Sequence, residues 1–123
     1  MKILIVEDDE ILLKVLIEKF TKEKFALANT SDGEAVLPLA RSFQPDLILL
    51  DIILPNKKGL EVLEELKADS ALENIPVMML SNLSEDENIK KALKLGAVDY
   101  LVKTQHPINE VIEKVKNFLL KPT

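Results

Sequence analysis

Short apolar runs alternate along this chain with longer stretches in which apolar residues recur every three or four positions. Four of the runs end on a charged or hydroxylic residue. Ile3-Leu-Ile-Val6 leads into Glu7-Asp8-Asp9, Leu47-Ile-Leu-Leu50 into Asp51, Val77-Met-Met-Leu80 into Ser81, and Tyr100-Leu-Val102 into Lys103. Apolar runs of this length, separated by helical patterns, predict parallel strands buried on both faces. The predicted strands are 2–6, 25–29, 47–50, 77–80 and 99–102. The first helix spans about 10–21, with Ile11, Leu12, Val15, Leu16 and Phe20 on one face. Asp8 or Asp9 can cap it, because a carboxylate accepts the free N–H groups of a first turn.

The second helix, about 34–42, contains Pro38 and is expected to start irregularly or late. Helix 3 covers about 60–68, after a loop rich in Pro, Asn and Gly. Ser84 followed by Glu85-Asp86-Glu87 reads as a capped start of helix 4, which ends near Gly96. Helix 5 begins at Pro107 or Ile108. Five strand–helix units imply an α/β, doubly wound (βα)5 flavodoxin-like sandwich with a parallel sheet in the order 2-1-3-4-5. In such a sheet the carboxyl ends of the strands line the ligand site. Three carboxylates, a hydroxyl and an ammonium would then share one edge, suited to a divalent metal and a negatively charged group.

The chain has 123 residues, one ordinary domain, and shows neither an internal linker nor a repeat. No apolar run approaches the ~20 residues that span a bilayer. The N-terminus has no signal-peptide layout, and there is no cysteine. Both fit a cytoplasmic location. The net charge is −5, and Arg41 is the only arginine. With no basic stripe, direct nucleic-acid binding is not expected.

Taken together, the acidic pair Asp8-Asp9, Asp51 with Pro55 and Gly59 after it, Ser81, and Gly96-Ala-Val-Asp-Tyr-Leu-Val-Lys103 resemble a response-regulator receiver domain of two-component signalling, the CheY-like family. The resemblance covers the chain from Lys2 to about Leu120 and implies a single receiver domain over 1–123. It implies that Asp51 accepts a phosphoryl group from a sensor histidine kinase or a phosphotransfer protein and becomes an acyl phosphate. It implies Mg²⁺ as cofactor, held directly by Asp9 and Asp51 and the backbone carbonyl of Ile53, with Asp8 acting through water. Acids crowded on Asp51 would repel one another without a cation. Glu7 lengthens the acidic run and reads as spectator charge.

The resemblance further implies that Lys103 pairs with Asp51 and then with the phosphoryl group, and that Ser81 donates its hydroxyl to that group. Tyr100 would be the switch aromatic that follows Ser81. The alternative for Tyr100 is a half-buried strand aromatic with its hydroxyl in water. The output would be a change in the face made by helix 4, strand 5 and helix 5, which carries Lys90, Lys91 and Lys94 against Glu110 and Glu113. That face would meet an output partner or form a phosphorylation-dependent homodimer. The domain is expected to act as a switch that assists its own chemistry, not as an enzyme on a separate substrate.

Three departures matter. Thr104 follows Lys103 where many family members have a cis proline, which leaves the isomer and the aim of Lys103 open. Asn82 stands where the family has a small residue. Ile53 and Leu83 flank the path of the hydrolytic water and cannot hydrogen-bond it, which predicts slow self-dephosphorylation. The lone His106, beside Pro107, reads as a surface histidine and not as a metal ligand.

A stand-alone switch is the favoured organisation, with a receiver cut from a longer regulator or hybrid kinase as its alternative. A phosphorylation-independent pseudo-receiver is disfavoured by the complete set of acids, serine and lysine. A metal-dependent phosphatase would place its acids two apart and carry a cap. In a flavodoxin-like carrier, Glu7-Asp8-Asp9-Glu10 would repel the FMN phosphate.

Overall fold

The computed structural model describes residues 1–120. Strands β1 (Lys2–Val6), β2 (Ala26–Thr30), β3 (Leu47–Leu50), β4 (Val77–Ser81) and β5 (Asp99–Val102) alternate with helices α1 (Glu10–Lys22), α2 (Val36–Phe43), α3 (Gly59–Ala68), α4 (Asp86–Lys94) and α5 (Ile108–Leu120). All neighbouring strands pair in parallel, in the order β2-β1-β3-β4-β5. This is the predicted topology.

Side chains alternate across a strand, and here both faces are covered. Leu4, Val6, Ile48, Leu50, Met79 and Val102 point into one apolar layer, with Val62, Leu63 and Leu66 of α3 and Ala92 of α4. Ile3, Ile5, Leu47, Leu49, Met78 and Leu101 point into the other, beneath Leu16 and Phe20 of α1 and Val111 and Val115 of α5. Burial on both sides explains why the strands read as unbroken apolar runs. Phe20 and Phe25 pack edge to face, with ring centroids 5.7 Å apart.

The irregular start expected around Pro38 takes the form of a 3₁₀ turn, Gly33–Ala35, running into α2. Pro38 falls in the first turn of α2, where its missing N–H costs no intrahelical bond. The expected start of helix 4 is corrected. Glu85, not Ser84, occupies the cap position, and it makes no side-chain capping bond. The expected charge distribution is corrected too. Glu113 turns toward Lys116, which also reaches Glu23 at the end of α1, 3.2 Å away. Glu113 therefore belongs to the α1–α5 side and not to the face shared with α4. Among the described residues, no helix is long and apolar enough to cross a membrane.

Candidate functional site

Among the described residues the buried polar or charged side chains are Glu7, Asp51 and Ser81, each at most 5% exposed. All three lie at or just past the carboxyl end of a strand. Burying an unpaired carboxylate is costly, so a cation should accompany them. Lys103, one residue beyond β5, supplies it. Its Nζ lies 2.8 Å from Asp51 Oδ2 and 2.9 Å from Glu7 Oε1. Its backbone N–H donates to the Ser81 carbonyl oxygen at 2.8 Å, extending the β4–β5 pairing by one residue. The structure thus brings Asp51, Ser81 and Lys103 to one edge.

Glu7 is not spectator charge. It is 2% exposed. Its Oε2 also accepts the backbone N–H of Asp9 at 3.0 Å. One ammonium serves two buried acids. Burial acts to lower the Lys103 pKa, but the hydrogen bonds and charges of Asp51 and Glu7 prevail and hold it above its ordinary value. Burial pushes the Glu7 pKa up, and the neighbouring Asp51 charge adds to this, because Lys103 is shared and offsets only part of it.

The acids expected at the metal do not all converge. Asp9 accepts the N–H groups of Ile11 and Leu12 through Oδ1, at 3.0 and 3.1 Å, as the N-cap of α1. The acids that converge are instead Glu7, Asp8 and Asp51, with one carboxylate oxygen from each within 4.8 Å of the others. The chain turns into α1 at Asp9, so the helix N-terminus takes that carboxylate and the two preceding acids face Asp51. Three carboxylates against one ammonium leave an excess of negative charge. Asp8 is exposed while Glu7 and Asp51 are buried, so the cluster opens to water on one side. An all-oxygen donor set with room for waters fits Mg²⁺ or Mn²⁺.

Two glycines bring backbone close to this edge. Gly59 opens α3 and donates its N–H to the Ile52 carbonyl oxygen at 2.7 Å. A Cβ there would overlap the Asp51 carbonyl oxygen. Gly33 donates to the Pro55 carbonyl oxygen at 3.1 Å, tying the turn after β2 to the loop after β3.

Ser81 Oγ accepts the Leu83 N–H at 3.2 Å. The Tyr100 hydroxyl is not in water. The ring packs in the α3–α4 layer, and the hydroxyl donates to the Leu83 carbonyl oxygen at 2.7 Å. Burial, aided by the charges of Asp51 and Glu85, pushes its pKa up. Ile53 is about half exposed and Leu83 partly so. Every peptide bond among the described residues is trans, including Lys103–Thr104. His106 is not a free surface histidine: its Nδ1 lies 3.1 Å from the Val102 carbonyl oxygen.

This fold is shared with known proteins. Residues 3–116 match the family model for the response regulator receiver domain, and the chain belongs to that family. It is 38% identical over 118 residues to the transcriptional regulatory protein BaeR of Escherichia coli, covering 96% of this chain and 48% of that protein. It is similar in structure to the BeF3-activated N-terminal receiver domain of Klebsiella pneumoniae RstA, with a TM-score of 0.88 and 28% identity over 99% of this chain and 100% of that one. The Mn²⁺-bound form of the response regulator Rcp1 gives a TM-score of 0.87 and 27% identity, covering 99% of this chain and 96% of that one. The chain spans about half the length of BaeR and of the alkaline phosphatase synthesis regulator PhoP of Bacillus subtilis.

Proposed function

We propose that this receiver is a phosphorylatable signalling switch with Asp51 as its phosphoacceptor. The observation that carries the reading is Lys103, held between the buried carboxylates of Asp51 and Glu7 at the carboxyl edge of the sheet. A carboxylate in that position is held, desolvated and screened by one cation. Asp51 Oδ1 accepts the Ile52 N–H at 2.6 Å and Oδ2 faces Lys103. Glu7, Asp8 and Asp51 would hold Mg²⁺, with the Ile53 carbonyl as a further oxygen. The metal, when bound, supplies charge neutralisation between the acids and an incoming phosphoryl group.

Asp51 attacks phosphorus and takes the phosphoryl group from the phosphohistidine of a sensor kinase or phosphotransfer protein, and the imidazole leaves. The new group adds about −1.5 to −2 charges. Lys103 then gains a second anionic partner on Asp51, and the Ser81 hydroxyl turns from its Leu83 contact to donate to the phosphoryl oxygen. Leu83 and Tyr100, joined by their hydrogen bond, would follow. The face of α4, β5 and α5 changes in consequence, a shift between two packed states.

Intact-mass spectrometry after incubation with acetyl phosphate tests this reading. One Mg²⁺-dependent phosphoryl adduct is expected on the wild type and none on Asp51→Asn. A wild type that binds Mg²⁺ and takes no adduct would overturn it. The adduct should also be long-lived, because neither Ile53 nor Leu83 can orient water. Replacing them with Asn and Glu is expected to speed its decay about tenfold, equivalent to ~1.4 kcal/mol of barrier. Unchanged decay of the isolated adduct would count against that role.

The relatives' greater length favours a second reading of the organisation. BaeR is a transcriptional regulator and is about twice as long as this chain. The domain would then serve as the receiver half of a longer regulator.

A further inference from the structure

We propose that His106 is a positioning residue for the phosphoryl site, closing the turn that aims Lys103 at Asp51. The inference rests on the reading of Asp51 as phosphoacceptor. Lys103 reaches two acids through a flexible four-carbon stem, so its aim depends on how its backbone is held. On the strand side, its N–H is bonded to Ser81. Beyond it, Thr104 and Gln105 are exposed, and no proline stiffens the bond after Lys103.

The turn closes on a single atom. The Val102 carbonyl oxygen receives the Gln105 N–H at 2.9 Å, the His106 N–H at 3.1 Å and the His106 ring at 3.1 Å. A carbonyl oxygen only accepts, so Nδ1 must carry a proton. Nε2 then faces Glu110 Oε1, 3.8 Å away on α5. The ring is 21% exposed. With Lys103 it lines a cavity of about 40 Å³, whose other walls include Leu12 and Leu16 of α1, Leu80 of β4 and Val111 of α5. His106 is thus the side chain of this turn that ties it back to the end of β5, facing Glu110 of α5 on its other side. A loosened turn would let Lys103 swing away from Asp51 without unfolding anything.

The test compares His106→Phe, which fills the space without a donor, with His106→Asn, whose amide N–H can replace Nδ1–H. The readouts are the labelling rate with acetyl phosphate, Mg²⁺ affinity, and the ammonium NMR resonance of Lys103, assigned by its loss in Lys103→Ala. His106→Phe is expected to label about fivefold more slowly, the effect of one ordinary hydrogen bond, at unchanged Mg²⁺ affinity. His106→Asn should recover most of the rate. In a Lys103→Ala background, His106→Phe should cost nothing further, because both act on one interaction.

Wild-type labelling in His106→Phe would overturn the inference, as would a full fivefold loss that persists without Lys103. A wild type that takes no label overturns the phosphoacceptor reading instead. The Lys103 resonance then decides the inference by itself: shifted in His106→Phe and restored in His106→Asn supports it, unchanged in both refutes it.

Discussion

Lys103→Met is expected to destabilise the protein by about 3 kcal/mol at neutral pH in metal-free buffer, at the lower end for breaking a buried ion pair from one side. Methionine matches the length of the stem and removes the charge. Glu7 and Asp51 would then face each other with no cation, both buried. The deficit should shrink under two conditions. Millimolar Mg²⁺ binds the folded acids and stabilises them by mass action.

Acidification acts in the same direction. The folded pKa of Glu7 is already raised by burial, and removing Lys103 takes away one of the interactions that lower it. A carboxylate with a raised folded pKa favours folding fully below its unfolded value, and that contribution is lost as pH rises through the folded one. The gap between variant and wild type should therefore close as pH falls toward about 4. Urea melts across pH, with and without Mg²⁺, measure it. A gap independent of both conditions would mean that the loss comes from how methionine packs at this position and not from the missing charge.

Gly59→Ala should be nearly as damaging, at about 3 kcal/mol, the upper part of the range for overpacking. The added methyl would overlap the Asp51 carbonyl oxygen. That oxygen sits on the backbone at the end of β3 and has no flexible end to move aside. Relief requires α3 to retreat or Asp51 to tilt. The first loses apolar contact under Val62 and Leu63; the second spoils the aim of the Asp51 carboxylate at Lys103. The variant should lose both urea resistance and labelling rate. Full stability with normal labelling would show that α3 can shift freely, contrary to its packing.

Strand order and the edge that carries the site were legible because apolar runs are a strong signal and each ended on a polar residue. Pro38 likewise announced the broken start of α2. Less legible was the division of labour among Glu7, Asp8 and Asp9. Three consecutive acids look alike in sequence, yet one had to cap α1. Glu10 begins the helix, so the cap falls on Asp9 and leaves Glu7 and Asp8 for the site. Applied strictly, the capping rule would have found Glu7. Tyr100 could also have been placed by period: it shares a strand face with Val102, and that face was already expected to be covered. His106 gave no such signal, because its partner is a backbone carbonyl four residues earlier.

The sheet is also a partition. Tyr100, Leu83, Ile89 and Ala92 belong to one apolar layer, while the packed face of α5 belongs to the other. The two layers are insulated by five strands and come alongside each other only at the open edges, one of which is β5. The face of α4, β5 and α5 is therefore a seam between two slabs. A repacking confined to one slab changes nothing deep in the other, yet it displaces the two lips of the seam relative to each other, where a partner laid across both would register the offset.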